Sequence, residues 1–405
     1  MAVPSNHDLG DCLQSTRPLR FNLRPYLLSA LYISPHLSAK DFGGSLFAAT
    51  NLQLLRDALG APVTAASVSR TPHPSALAVP TTKNKLGTAF ANMQGLCGTL
   101  SNEGVAHVRE LLLGERPTLV WLDTSLLGCL IPLIRNLLPE ARIVCAFQNV
   151  EADLVKQRLA AMQIHYLPAL YATWLNEKQS ACRSDITLAL HTTDAERIAL
   201  LYGRKVDRIL PIIVPDRGSQ PADQINANTE AEAEEPYLLF VGSAFPPNIE
   251  ALEFLCRRIA PTLHRFRLVA VGSGLGNFAS RFKHPKLQIR GFVEDLSSIY
   301  RDATAVVAPI FSGGGMKVKI AEALMHGKSV IASPFAAIGF EGCGANSVRL
   351  AKTAEEFTSL IACLDNNRYN PGSRADYEKL FSRDAGLRRV EEIVAMLQGA
   401  TRSPH

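Results

Sequence analysis

Short apolar runs alternate with longer stretches in which apolar residues recur every three or four positions, and the alternation spans most of the chain. The runs at 26–34, 63–68, 118–122, 142–147, 186–190 and 208–214 have the length and apolar character of buried strands. Between them, 45–59, 86–113, 125–138, 151–184 and 193–202 carry the period of an amphipathic helix. The pattern resumes at 237 with strands at 237–241, 267–271, 287–290, 305–308 and 329–333. Helices are predicted at 249–263, 354–364 and 385–398. Strands alternating with helices imply parallel sheets covered on both faces, and hence an α/β fold.

The two alternations are separated by 215–236, an acidic stretch without a large apolar residue between Asp216 and Pro236, except Ile225. It reads as a linker. The expected organisation is a flexible arm over 1–24, an N-terminal domain over 25–214, the linker over 215–236 and a C-terminal domain over 237–380. A final helix over 381–405 would be placed to pack back on the first domain. Two doubly wound halves would face a central cleft, where ligands of such sheets bind beyond the strands' C-terminal ends.

Composition narrows the partners. With 405 residues and a net charge of +5, the chain is too weakly and too evenly basic to suggest nucleic acid. The eight cysteines are scattered, with no CxxC pair or metal-ligand spacing, as in a reduced cytoplasmic protein. No stretch approaches the ~20 apolar residues needed to cross a bilayer. The nearest, 126–134, is interrupted by Pro132 and reads as a buried helix, which leaves room only for peripheral membrane contact.

The most chemically suggestive segment is Ser312-Gly313-Gly314-Gly315-Met316-Lys317-Val318-Lys319-Ile320-Ala321-Glu322, between the strands at 305–308 and 329–333. Glycines before a helix let its unpaired N–H groups approach an anion. Lys317 and Lys319 oppose the helix dipole, a placement that makes sense if a dianionic group binds between them. Glu322, one turn beyond Lys319, can accept hydrogen bonds from hydroxyls. A diphosphate joined to a ribose fits this set. A flexible glycine turn followed by a solvated helix face is the alternative reading of the same residues.

The order of motifs in the second half resembles that of the group 1 (family 4) retaining glycosyltransferases of the GT-B fold, in the bacterial branch with Gly-Ser-Gly-Thr-Arg-Leu-Lys-x-x-Glu-Ala. The matching segments are Val241-Gly242-Ser243 with Pro247-Asn248, Val271-Gly272-Ser273-Gly274, Gly291-Phe292-Val293-Glu294-Asp295-Leu296 and Gly313-Gly314-Gly315-Met316-Lys317-Val318-Lys319-Ile320-Ala321-Glu322-Ala323. The resemblance implies two Rossmann-like domains and a sugar moved with retention from a nucleotide diphosphate to a glycan or lipid-linked acceptor, as in bacterial polysaccharide biosynthesis. It further implies that Gly242 and Ser243 approach the phosphates, that Phe292 and Val293 meet the base and that Glu322 meets the ribose. Lys317, Lys319 and the amides of Gly313, Gly314, Gly315 and Met316 would stabilise the leaving diphosphate. No cofactor and no metal are expected, because no Asp-x-Asp element stands in a metal-holding context.

Three departures stand out. The first carboxylate of the family's Glu-x7-Glu falls at Gly314, Lys317 replaces Arg, and Ile338 takes a position that is polar in the branch. In the N-terminal half Gly43 and Gly44 resemble a donor-side glycine loop, while Gln148-Asn149-Val150-Glu151 resembles His-Asn-Val-Glu with glutamine in the histidine position. Asp123, Gln148, Asn149 and Glu151 are the acceptor-side candidates. Asp123 could instead cap the Ser125 helix, Glu151 could simply open its own helix, and His191 and His326 could be packing residues. A sugar-nucleotide epimerase or phosphorylase on the same fold, or a degenerate non-catalytic transferase, are the competing functions. A dinucleotide-dependent oxidoreductase fails because Asn277 takes the last glycine position of GxGxxG.

Overall fold

The computed structural model describes residues 29–39, 43–160, 166–216 and 235–399. The expected arm over 1–24 and nearly all of the acidic linker lie outside the described residues.

The N-terminal domain runs β1 (Ala30–Ser34), α1 (Gly43–Leu59), β2 (Val63–Ser67), β3 (Leu77–Ala78), α2 (Lys85–Met93), α3 (Asn102–Glu115), β4 (Leu119–Leu122), α4 (Leu130–Leu137), β5 (Arg142–Phe147), α5 (Glu151–Ala160), α6 (Leu167–Arg183), β6 (Ile186–Ala189), α7 (Thr192–Tyr202) and β7 (Arg208–Ile209). The C-terminal domain continues with β8 (Tyr237–Val241), α8 (Pro246–Phe254), β9 (Arg267–Val271), β10 (Leu287–Arg290), α9 (Ser297–Asp302), β11 (Ala305–Ala308), α10 (Val318–Met325), β12 (Ser329–Ala332), β13 (Val348–Leu350), α11 (Ala354–Ala362), α12 (Pro371–Leu380) and α13 (Arg383–Gly399).

The strands form two parallel sheets, ordered β3-β2-β1-β4-β5-β6-β7 and β10-β9-β8-β11-β12-β13. In each sheet the order reverses beside the first strand, between β1 and β4 and between β8 and β11. Loops leaving the C-terminal ends of those strands diverge to opposite faces and open a crevice there. The site residues described below lie at the C-terminal ends of strands of the two sheets, or in the loops and helices that follow them. The central strands are continuous apolar runs because both faces are covered. Leu119, Val120, Trp121 and Leu122 of β4 are all buried, as are Ala305, Val306, Val307 and Ala308 of β11.

Helix α13 packs on the N-terminal domain although it follows the C-terminal one. Val390, Ile393, Val394 and Leu397 share a core with Leu52, Leu55 and Ile213, and Arg383 pairs with Asp57 of α1 at 2.7 Å. Each such fully buried aliphatic side chain contributes about 1.5–3 kcal/mol, so the apolar contact outweighs the exposed ion pair.

The chain departs from the periodicity in several places. The expected helix over 86–113 is two helices, α2 and α3, separated by a turn through Gly95–Gly98. The expected helix over 151–184 is α5 followed by α6. Helix 125–138 begins as a tight turn, Ser125–Leu127, because Gly128 sits against the backbone of Asn176, where a Cβ would lie 2.0 Å from the carbonyl oxygen. The last strand of the first sheet covers only Arg208–Ile209 of the expected 208–214.

Candidate active site

The glycine loop leaves β11 and enters α10 at Lys317, which is the N-cap residue. Gly315 has φ +62, and a Cβ there would lie 2.8 Å from Asn149 Oδ1. One at Gly314 would lie 2.8 Å from a Leu154 methyl. The loop therefore presses its backbone against the turn after β5, and the cleft between the domains closes over these two glycines. Only residues without side chains allow that approach.

Lys317 and Lys319 lie beneath this closure. Lys317 Nζ donates to the carbonyl oxygens of Gly314 at 2.9 Å and Gly315 at 2.7 Å, and it lies 4.9 Å from the Phe335 ring centroid. Lys319 Nζ donates to Asn248 Oδ1 at 2.7 Å and lies 5.0 Å from the Phe240 ring centroid. Burial lowers both ammonium pKa values, Lys317 to about 8 and Lys319 to about 7, and the charge of Lys317 lowers Lys319 further. An ammonium has three donors. These contacts use two on Lys317 and one on Lys319, which leaves capacity for an anion.

Asn248 holds this cluster to β8. Its Nδ2 donates to the Ser243 carbonyl at 2.9 Å, and its side chain packs on Gly242. The loop after β9 closes on the same place, since a Cβ at Gly272 would lie 2.0 Å from the Gly242 carbonyl oxygen. Gly242, Ser243 and Lys319 are thus brought together through a residue whose role the sequence reading missed. The signal available was its position in Pro247-Asn248, at the start of α8.

On the N-terminal wall the four acceptor-side candidates come from two neighbouring strand ends, Asp123 after β4 and Gln148, Asn149 and Glu151 after β5, and they differ from expectation in what they face. Asp123 is fully buried and accepts from Ser34 Oγ at 2.9 Å, Asn51 Nδ2 at 3.4 Å and Gln148 Nε2 at 3.1 Å. It is neither open to an acceptor nor the cap of the Ser125 turn, which is Thr124. Burial pushes its carboxyl up to about 6. Gln148 also donates to the Asp123 carbonyl at 2.8 Å, so its amide nitrogen turns inward and its backbone faces Gly315. Asn149 Nδ2 donates to Glu151 Oε1 at 2.9 Å, and burial raises the Glu151 pKa.

A further carboxylate, missing from those four, holds the turn after β5. Glu177 on α6 is fully buried and accepts from the amides of Glu151 at 2.8 Å and Ala152 at 3.1 Å, and from Tyr202 Oη at 2.7 Å. It replaces a local N-cap for α5. Burial raises its pKa to about 7. Because it is 26 residues away along the chain, local sequence gave no sign of this pairing.

A pocket holding at most about 540 Å³ of empty space lies between the walls, within the usual ligand range. It is lined by Asn149, Asp153, His191, Asp194, Lys317 and Ile338, among others. His191 is the N-cap of α7, and its Nδ1 accepts from the Asp194 amide at 3.2 Å. The neutral ring then carries its proton on Nε2, which lies 3.2 Å from Asp194 Oδ2. Burial raises the Asp194 pKa to about 6, and the neighbouring charges of Asp153 and Glu151 add to that.

The remaining residues are placed as follows. Glu322 Oε2 accepts from Tyr300 Oη at 3.2 Å. Met316 is buried against Gly339. Phe292 is 75 % exposed and Val293 half-buried in the loop after β10. Gly43 and Gly44 begin α1, and residues 40–42 before them lie outside the described residues. His326 is the C-cap of α10, stacked on Tyr300 at 4.9 Å, and its pKa is lowered to about 4 by burial. Among the described residues no group of three His, Cys, Asp or Glu is placed to hold a metal ion.

Residues 235–366, which contain the glycine loop, both lysines and Asn248, match the family model described as Glycosyl transferases group 1. Over this stretch, about a third of the chain, the C-terminal domain is similar to the group 1 glycosyltransferases. The whole chain is similar in fold to sucrose-phosphate synthase from Thermosynechococcus elongatus, with 17 % identity, 92 % of this chain and 100 % of the other covered, and a TM-score of 0.69. It is similar to a glycosyltransferase from Rickettsia africae, with 14 % identity, 93 % and 100 % covered, and a TM-score of 0.62. It is also similar to Alr3699/HepE from Anabaena, determined with UDP and glucose, with 11 % identity, 91 % and 100 % covered, and a TM-score of 0.64. At such identities these likenesses show the fold, the two-domain GT-B arrangement. No curated protein matches the chain by sequence.

Proposed function

We propose that this protein transfers a sugar from a nucleotide-diphosphate donor to a glycan or lipid-linked acceptor, with retention of configuration and without a metal. The observation that carries the reading is the pair of half-buried lysines at a helix N-terminus, Lys317 held by the carbonyl oxygens of the glycine loop and Lys319 by Asn248. UDP and UDP-glucose, which the Anabaena protein has been determined with, make a uridine nucleotide the first donor to test.

In the reaction the bond between the anomeric carbon and the β-phosphate oxygen breaks, and negative charge grows on the departing diphosphate. Lys317 and Lys319 supply fixed positive potential there. The acceptor hydroxyl bonds to the anomeric carbon on the face the diphosphate leaves, and its proton passes to the leaving phosphate oxygen. Glu322 orients the ribose, and Gly242, Ser243, Gly43 and Gly44 approach the phosphates. Gln148 contributes to the acceptor side by position rather than by proton transfer, because its amide has no titrating group.

No helix among the described residues is long and apolar enough to cross a membrane. The reading is of a cytoplasmic enzyme that visits the inner face of a membrane for polysaccharide synthesis. A thermal-shift screen against UDP, GDP, ADP and dTDP sugars tests the donor, since the cognate base alone raises the unfolding temperature strongly. Product formation from the stabilising donor then separates an enzyme from a nucleotide-binding scaffold. Stabilisation without turnover on any glycan or lipid acceptor would overturn the catalytic reading.

A further inference from the structure

Two neighbouring helices each carry a stripe of large apolar residues on an exposed face. Leu86, Phe90 and Met93 of α2 and Leu167, Tyr171 and Trp174 of α6 are between 42 and 82 % exposed. In both helices the spacing is i, i+4, i+7, which makes one stripe on each. The opposite faces are small or polar. Helix α2 buries only Ala91, and α6 buries Ala172, Thr173, Asn176, Glu177, Ser180 and Ala181.

The helices pack side by side, joined where Asn176 Nδ2 donates to the Gly95 carbonyl at 2.7 Å. Their two stripes form one apolar ridge, more than scattered exposure would produce. Its fringe is basic. Lys83 and Lys85 are exposed at the head of α2, and Lys178 extends the α6 stripe with Nζ 5.0 Å from the Trp174 ring centroid. The exposed faces carry no acid, since α2 has none and the one carboxylate of α6, Glu177, is buried under Tyr202.

We propose that the α2–α6 ridge docks on an anionic lipid bilayer, its aromatic and aliphatic side chains in the acyl boundary and its lysines among the headgroup phosphates. Apolar side chains framed by cations, with Trp and Tyr among them, complement such a surface. A second copy of the chain fits less well, because a two-fold contact would cover these lysines with a partner ridge that offers no exposed carboxylate. The location suits the proposed function. Helix α5 packs on α6, and its Asp153, Leu154 and Gln157 line the interdomain pocket, so one helix thickness separates the ridge from the site. The proposal gives the membrane contact of that reading an address. Its test needs no sugar transfer, so each can fail without the other.

The test is sedimentation of the purified protein with vesicles of phosphatidylcholine alone or mixed with phosphatidylglycerol. Binding to the anionic vesicles is expected to be at least about tenfold tighter. Trp121 is buried, so Trp174 alone among the two tryptophans can respond, and its emission should shift to the blue. Leu86→Ser combined with Phe90→Ser should abolish binding while thermal unfolding stays unchanged. Lys83→Glu with Lys85→Glu should erase the preference for anionic lipid. Absence of binding to either vesicle, equal binding to both, or a solution dimer that Phe90→Ser dissociates would each overturn the proposal.

Discussion

Lys319 Nζ donates to Asn248 Oδ1 at 2.7 Å, and the same asparagine donates to the Ser243 carbonyl at 2.9 Å. One amide side chain therefore fixes the ammonium relative to the loop after β8. Lys319→Ala should reduce turnover by about 10²-fold or more, the usual cost of losing one preorganised charge at a developing anion. The loss should appear mainly in kcat, with circular dichroism unchanged. A folded Lys319→Ala enzyme with near-normal kcat would remove the lysine from the mechanism.

The same lysine is a burden to the empty protein. Its folded pKa, about 7, lies below its ordinary value of 10.5, so between those values the unfolded chain holds the proton more tightly. That contribution makes stability rise with pH through this window. Lys319→Met should be more stable than the parent at pH 7, with the advantage shrinking towards pH 10. Urea unfolding at the two pH values measures it. A parent as stable as the methionine variant at pH 7 would mean that the charge is already compensated without ligand.

Legibility from sequence followed the range of the interaction. Parallel strands were legible because burial on both faces leaves uninterrupted apolar runs such as Leu119–Leu122. The cationic loop was legible because its glycines and lysines are contiguous. Asp123 was misread since its partners Ser34, Asn51 and Gln148 come from three separate elements, and only the fold shows that they enclose it. Glu177 and Asp194 were missed for the same reason. A carboxylate that caps a distant helix, or lines a pocket from one, leaves no local pattern. The break between α2 and α3 was lost because apolar residues continue through the turn at Gly95–Gly98, and periodicity does not register a reversal.

Asp194 faces Lys317 across the pocket, and burial holds its carboxyl at about 6 instead of 3.8. A raised carboxyl pKa adds stability that is complete below pH 3.8 and is lost as pH rises through 6. Asp194→Asn lacks that dependence and should gain on the parent steadily from pH 4 to pH 7 in denaturant titrations. The variant should also weaken donor binding at pH 8. Lys317, already lowered to about 8, loses the carboxylate that supports its charge. Parallel stability profiles for the two proteins would sink the argument.

Gly315 tests whether closure of the two domains on the glycine loop matters for catalysis. With φ +62 an alanine there is strained by roughly 1–2 kcal/mol, whatever it touches. Its Cβ would also lie 2.8 Å from Asn149 Oδ1, on the other domain. The steric part should be relieved by Asn149→Ala and the backbone part should not. Gly315→Ala alone should lower kcat/KM by more than about tenfold, and the double variant should recover part of that loss, a coupling of about 0.5–3 kcal/mol for residues in contact. Additive effects of the two substitutions would show that the loop and the Gln148–Glu151 turn do not meet during turnover.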